Sequence, residues 1–179
     1  LLFSLSLAAA LVPMASCGGK AEASTAVAEE PTDSVPTVYY IKDITPENLV
    51  KVYEALGRKA EGNNVGVKIS TGESMKSNHL DTGLIKDFNG KFIECNTAYN
   101  GNRSQTEQHY KTAQEHGYTA IAPVDIMDAD GDTTIAVTGG THLDYDIVGK
   151  HFLDYDFLVV LSHFKGHAMG GFGGALKNI

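Results

Sequence analysis

Two histidines flank a lysine near the end of the sequence. His163, Lys165 and His167 follow an apolar run at residues 157–161. Neutral imidazole is a common ligand for divalent metals, and a lysine ammonium beside it suits an anionic ligand. Open α/β sheets bind their ligands beyond the carboxyl ends of the strands. The stretch therefore predicts contact with a metal or a substrate, with histidines that only hydrogen-bond loop backbone as the alternative.

Four glycines follow the second histidine, at positions 170, 171, 173 and 174. Glycine permits positive φ and close backbone approach, so such a run can cradle phosphate through its N–H groups. The spacing fits neither the Walker A pattern nor Gly-x-Gly-x-x-Gly. A tight packing turn is therefore the favoured interpretation.

Two other predicted strands also become polar at their carboxyl ends. Residues 65–69 carry Lys68, and residues 91–95 carry Glu94 and lead into a polar loop. If these strands and residues 157–161 are parallel neighbours, their polar ends open into one crevice. We therefore predict a substrate- or anion-binding set and a metal-binding set, which are respectively Lys68, Asn96, Arg103 and Lys165, and His163, His167 and Glu94.

The elements that would position these residues alternate between strands and helices. Apolar runs predict strands at 38–41, 65–69, 91–95 and 157–161, the last in the centre of the sheet, and a hairpin of 124–127 with 133–137. Helical periodicity predicts helices at 45–60, 78–87 and 104–116. Thr45 as N-cap with Pro46 at the first position marks the start of the first, and a capping box of Ser104 and Glu107 marks the start of the third. The expected fold class is α/β, a mostly parallel sheet flanked by helices with one β-hairpin, incomplete at the C-terminus.

Cys95 and an acidic turn offer further chemistry. Nearby Lys68, Arg103 or His163 would lower the pKa of the Cys95 thiol and make it a nucleophile, although a free cysteine at a strand end is usually a small buried apolar residue. Residues 128–132 resemble a calcium loop, but their glycine is misplaced and the twelfth position lacks glutamate. We expect a plain hairpin turn there.

The N-terminal segment is typical of an exported lipoprotein. Residues 1–12 are apolar over the length of a signal-peptide core, and small residues precede Cys17 as in a bacterial lipobox. We expect a signal peptide and lipobox at 1–17 with Cys17 lipidated, a flexible tether at 18–36, and an α/β domain at 37–179. The expected location is the bacterial cell envelope, with the membrane as a partner through the lipid anchor.

Composition narrows the choice of partners. The net charge is −8 at pH 7 and no basic cluster stands out, so we expect no nucleic-acid binding. The chain has 2 cysteines, and a lipidated Cys17 would leave Cys95 without a disulfide partner. That count also excludes a self-contained iron–sulfur cluster, which would need cysteines from a further C-terminal segment.

Four stretches carry a resemblance to a known family. Residues 92–99, 103–109, 124–128 and above all 161–178 resemble the bacterial domain of unknown function numbered 362. The resemblance implies an uncharacterised protein with a redox-related role, because some members carry ferredoxin-type modules with two four-iron clusters. The Cys-x-x-Cys-x-x-Cys pattern of those modules is absent from this sequence, and the resemblance implies a domain that continues further.

Three functions are compatible with these residues. The first is a metal- or anion-binding protein with a redox partner, using His163, His167 and Glu94. The second is an enzyme that acts on a small anionic substrate, with a lysine neutralising the anion and a histidine moving a proton. The third is a non-catalytic surface lipoprotein that binds a partner through exposed tyrosines.

Overall fold

Four parallel strands form the central sheet of the protein. The computed structural model describes residues 35–88 and 90–179. The strands are β1 (Val65–Lys68), β2 (Lys91–Glu94), β3 (Val124–Ile126) and β6 (Phe157–Val160), in the spatial order β3-β2-β1-β6. All three neighbouring pairs are parallel, so the α/β class and the mostly parallel sheet are confirmed.

Three helices follow the predicted segments, but they are shorter than predicted. They are α1 (Pro46–Glu54), α2 (Thr82–Ile85) and α3 (Thr106–Glu115). Thr45 caps α1 as expected, because its hydroxyl accepts a hydrogen bond from the Asn48 amide at 3.2 Å. The predicted capping box of Ser104 is wrong: its hydroxyl donates to the Gly101 carbonyl, and α3 begins two residues later.

The two faces of the sheet are covered differently. Alternate side chains point to opposite faces, and aligned residues of parallel neighbours share a face. Val67, Phe92 and Val159 are aligned and pack under α1, α2 and α3 in the main apolar core. Lys68, Ile93 and Val160 are aligned on the other face. Only a small cluster around Ile93, Met127 and Tyr155 covers that second face, so it leaves room for a cleft.

Two β-hairpins project beyond the sheet, and the predicted hairpin is wrong. β3 does not pair with β4 (Asp132–Ala136). It joins the edge of the sheet beside β2, while β4 pairs with β5 (Tyr145–Gly149). β3 ends in Ile126, which is buried against the sheet. A strand this short can form its backbone hydrogen bonds with a parallel neighbour as well as with an antiparallel one. The second hairpin joins β7 (Lys165–His167) to β8 (Gly171–Gly173), and α4 (Ala175–Asn178) follows.

Two strand predictions were also wrong in detail. Residues 38–41 form no strand: Tyr39 and Tyr40 are exposed, and Ile41 packs against the edge of the core instead. β6 lies at an edge of the described sheet, not at its centre, although Val159 and Val160 are buried. Its apolar sequence reflects burial of both faces and not strand neighbours on both sides.

The described residues contain no helix long and apolar enough to cross a membrane. The predicted signal peptide, Cys17 and nearly all of the tether lie outside the described residues, so export and lipid anchoring stay predictions.

Candidate functional site

Lys68 and Glu94 form a buried ion pair at the carboxyl ends of β1 and β2. Their Nζ and Oε2 atoms lie 2.7 Å apart, and both residues are less than one tenth exposed. Lys68 also donates to the Ile69 carbonyl at 2.9 Å and to the side-chain oxygen of Asn178 at 3.4 Å. The predicted convergence of strand ends therefore exists, and α4 closes over it.

The second carboxylate oxygen of Glu94, Oε1, also accepts hydrogen bonds from protein donors. Oε1 accepts hydrogen bonds from the Thr71 amide at 2.8 Å and from Arg103 Nη1 at 3.2 Å. Burial raises the pKa of the Glu94 carboxyl, but the charges of Lys68 and Arg103 and hydrogen bonds from Lys68 and His109 lower it to about 2. Glu94 is therefore an anion at any physiological pH, and its lone pairs are already committed to protein donors.

Arg103 connects this pair to the polar loop after β2. Its Nε and Nη2 atoms donate to Glu73 Oε1 at 3.0 and 2.8 Å, and Nη2 also reaches the Tyr99 hydroxyl. Burial opposes the charge of Arg103, but Glu94 and Glu73 outweigh it and raise the pKa of the guanidinium. Arg103 is thus fixed beside Lys68, and both predicted cations lie at the same end of the sheet.

A chain of buried polar groups supports Glu94 from behind. His109, in α3, is fully buried and lies 3.0 Å from the Thr71 hydroxyl and 3.3 Å from the Asn96 side-chain oxygen. His116 bonds the Thr71 carbonyl and stacks on His79 with ring centroids 3.9 Å apart. Asn96, predicted to bind an anion, is therefore held in this chain. These histidines orient the loop that binds Glu94.

Two exposed lysines and a buried serine line the site without salt-bridge or hydrogen-bond partners among the described residues. Lys165 and Lys177 are exposed, and neither forms a salt bridge with any described residue. Ser162 is 3% exposed, and its hydroxyl has no hydrogen-bond partner within residues 35–88 and 90–179. Burial and the charges of Arg103 and Lys177 lower the pKa of Lys165, although Glu73 and Glu94 oppose them.

The ion-paired groups, Asn96, Ser162 and the two lysines line one cleft with a volume of about 1160 Å³, whereas the buried histidines lie behind it. Its basic end holds four cations, Lys68, Arg103, Lys165 and Lys177, against two carboxylates, Glu73 and Glu94. That end therefore has two positive charges in excess of its carboxylates. Ligand sites typically occupy clefts of about 300–1,000 Å³ with a few convergent polar groups. The cleft is large enough for a small molecule, and the charge at this end favours an anion.

The residues predicted to bind a metal do not come together as a preformed metal site. Glu94 is bound by cations, and His167 Nδ1 accepts a hydrogen bond from the Gly170 amide at 3.0 Å. His163 and His167 do not share a helical face, because His167 ends β7. No group of three or more His, Cys, Asp or Glu side chains among the described residues is arranged to hold a metal ion.

Cys95 is partly buried in the same cleft and is not activated. Burial and the charge of Asp128 raise the pKa of its thiol to about 11, and the opposing charge of Lys68 is outweighed. The thiolate needed for nucleophilic attack is therefore scarce at neutral pH. The apolar interpretation of Cys95 fits the structure better than the nucleophile.

A second charged cluster lies at the β3 edge of the same sheet face. His151 lies 2.8 Å from Asp125 and 2.9 Å from Asp130, with one ring nitrogen facing each carboxylate. These hydrogen bonds raise the pKa of His151, so the imidazolium is favoured. Tyr155 donates to the other oxygen of Asp125. Both ring nitrogens of His151 and the hydroxyl of Tyr155 are therefore bound within the protein.

Sequence reasoning missed several members of the cleft. No role in the site was predicted for Ser162, Lys177 or Asn178, although all three lie within the stretch that carries the family resemblance. Their positions depend on the β7–β8 hairpin, which turns the chain back so that Lys165 is aligned with Gly173. Lys177 packs over Gly173, where an added Cβ would lie 3.2 Å from its Cδ. The glycine run is thus a packing turn, as expected.

Comparison with known proteins gives one family and no individual relative. The model of the family described as Domain of unknown function (DUF362) matches residues 65–179, which is more than half of the chain. No curated protein and no solved structure matches the chain significantly. The matched range contains the whole parallel sheet, the cleft and both hairpins. The chain therefore belongs to the DUF362 family.

Proposed function

We propose that this protein binds a small anionic ligand in the cleft at the carboxyl ends of β1, β2 and β6. The observation that carries the proposal is that Lys165 and Lys177, without salt bridges among the described residues, line the same cleft as Ser162, whose buried hydroxyl has no partner there. A buried hydroxyl without a partner costs about 1–3 kcal/mol. A ligand oxygen that accepts its hydrogen bond removes that cost.

The buried ion pairs act as a scaffold for this binding. Glu94 holds Lys68 and Arg103 in place, and Glu73 holds Arg103 from the other side. Because these four groups are bound in the absence of a ligand, they need no rearrangement when an anion arrives. Lys165 and Lys177, at the mouth, attract the anion. Lys68 and Arg103, which are already held in place, stabilise it once it has lost part of its hydration shell.

Calorimetric titration with inorganic phosphate at low ionic strength tests the proposal. The double variant Lys165→Gln and Lys177→Gln loses two charge-assisted contacts of about 1.5–3 kcal/mol each, so affinity falls by about a hundredfold or more. Its matched control is Lys51→Gln with Lys111→Gln, which changes the net charge equally at exposed helix positions. Equal loss of affinity in both double variants would show only a general effect of charge.

Catalysis on the bound anion is a second candidate, favoured by His163. This histidine lines the cleft and its Nδ1 atom is buried without a hydrogen-bond partner in the described part of the chain. Burial and the charge of Lys165 lower the pKa of His163, so a neutral imidazole is available as a general base. If this role is correct, His163→Gln abolishes turnover of anionic esters such as p-nitrophenyl phosphate while phosphate still binds.

Metal binding by His163, His167 and Glu94, a redox-related role and a lipid anchor at Cys17 stay predictions. The family membership supports the redox-related role only as an expectation of the resemblance. Metal analysis of the double variant His163→Ala with His167→Ala checks the metal prediction, since metal content unchanged from the wild type would contradict it.

A further inference from the structure

The cleft is much larger than a bare oxyanion, and its walls change in character along its length. The cations lie at one end, where β1 and β6 finish. Next to them the second face of the sheet presents Cys95, Phe152 and Leu158, which pack around the buried cluster of Ile93 and Met127. These three side chains are partly exposed and line the cleft, so they offer an apolar surface directly beside the basic end.

The part of the cleft lining that comes from the turn after β3 and from the β4–β5 hairpin is acidic, and we call it the acidic end. Asp128, Asp132 and Asp146 line it, and none of them forms a salt bridge within the described ranges. Asp128 accepts a hydrogen bond from the Asn96 amide at 2.9 Å, which fixes it near Cys95. Charges of both signs act on the Cys95 thiol, because Asp128 raises its pKa and Lys68 lowers it. The cleft therefore presents an apolar surface together with basic and acidic residues, and Cys95 is within reach of both charges.

We propose that the ligand is a monoanion with an apolar body of several carbon atoms, such as a medium-chain or aryl-substituted carboxylate. This inference rests on the proposed anion-binding function and specifies the ligand of that same cleft. The anionic group lies among Lys165, Lys177 and the Ser162 hydroxyl. The apolar body lies along Phe152 and Leu158, and the three aspartates exclude a second negative charge from the acidic end.

A homologous series of ligands tests the apolar body. Butanoate, hexanoate and octanoate are titrated calorimetrically into the full chain, with inorganic phosphate as the bare-anion reference. Burying one methylene group contributes enough free energy to tighten binding by about threefold to fourfold. We expect affinity to rise by that factor for each added methylene, and Phe152→Ser to flatten the rise without changing phosphate binding.

A dianion of matched length tests the acidic end. Octanedioate binds at least tenfold more weakly than octanoate if the aspartates repel its second carboxylate. The double variant Asp132→Asn with Asp146→Asn then gains affinity for octanedioate and not for octanoate. Both aspartates are exposed, so these substitutions leave the core intact. The matched control is Asp43→Asn with Asp144→Asn, which lie away from the cleft lining.

The outcomes separate this inference from the proposed function. Phosphate binding with a flat carboxylate series overturns the apolar-body inference and leaves anion binding intact. Failure of phosphate and of every carboxylate to bind overturns both. Octanedioate binding as tightly as octanoate, with no change in the double aspartate variant, overturns the role given to the acidic end.

Discussion

Two groups of charged side chains, one at the β3 edge of the sheet and one at the carboxyl ends of β1 and β2, differ in how completely their charges are matched. At the β3 edge, His151 bonds a carboxylate with each ring nitrogen, and the cluster lines no part of the cleft. At the carboxyl ends of β1 and β2, four cations and two carboxylates line the cleft. The first cluster bonds its histidine and tyrosine within the protein. In the second, Lys165, Lys177 and the Ser162 hydroxyl have no partner among the described residues and are available to a ligand.

The comparison shows which part of a charged cluster serves the fold and which part serves a ligand. Glu94 and its partners are buried, so removing one partner leaves an uncompensated charge in a poorly solvated place. Lys165 and Lys177 are exposed and form no salt bridge with the part of the chain that the structure describes, so they contribute little to the free energy of unfolding. Substitutions at Glu94 and its partners should therefore lower the free energy of unfolding, whereas substitutions at Lys165 and Lys177 should leave it nearly unchanged.

The largest effect is expected at Glu94. The substitution Glu94→Gln removes the charge that compensates buried Lys68 and Arg103, and we expect the free energy of unfolding to fall by about 3–5 kcal/mol. Urea unfolding monitored by circular dichroism measures it. Glu115→Gln is the control, because its carboxylate is 43% exposed and its surface pair with Lys111 contributes only about 0.5 kcal/mol or less. A loss at Glu94 no larger than at Glu115 would disprove the scaffold role.

The two clusters should respond to pH in opposite directions. The pKa of Glu94 is lowered to about 2, so its contribution to stability is present above its unfolded value and is lost as pH falls toward 2. The pKa of His151 is raised, so its contribution is complete below its unfolded value and is lost as pH rises through the folded pKa. Unfolding free energies of the wild type, Glu94→Gln and His151→Gln between pH 3 and 9 check both signs.

A smaller effect is expected within the β3-edge cluster. Asp125 is largely buried and binds both His151 and Tyr155, so Asp125→Asn should lower the free energy of unfolding by about 1–2 kcal/mol. Asp130 is 74% exposed, so Asp130→Asn should cost about 0.5 kcal/mol or less. Equal effects of the two substitutions in urea unfolding would contradict the burial argument.

The smallest effect on stability is expected at the mouth of the cleft. The double variant Lys165→Gln with Lys177→Gln breaks no salt bridge and removes two positive charges that repel each other and Arg103. We therefore expect the free energy of unfolding to stay within about 0.5 kcal/mol of the wild type. A loss of several kcal/mol would mean that these lysines hold the fold and are not kept for a ligand.

Local sequence patterns were sufficient for part of this architecture. The polar residues that end residues 65–69 and 91–95 correctly predicted that Lys68 and Glu94 would meet, because parallel strands deliver their carboxyl ends to one edge. Thr45 and Pro46 likewise marked the start of α1. These signals lie within a few residues of the feature that they predict.

Pairing between strands could not be predicted from such local patterns. β3 and β4 are close in sequence and looked like a hairpin, but β4 pairs with β5, whose own pattern of Tyr145 to Gly149 gave no strand signal. Ser162 and Lys177 enter the cleft only because the β7–β8 hairpin reverses the chain. His109 and His116 support Glu94 from α3 and its end, and no spacing in the sequence indicates that contact.

Selenate diffused into crystals of the full chain tests the central claim most directly, because its anomalous scattering locates the anion. The account predicts a selenium peak at the mouth of the cleft, with selenate oxygens within hydrogen-bond distance of the Ser162 hydroxyl and of the Lys165 or Lys177 ammonium. Selenate peaks found only outside the cleft, at a concentration that saturates binding in solution, would contradict it.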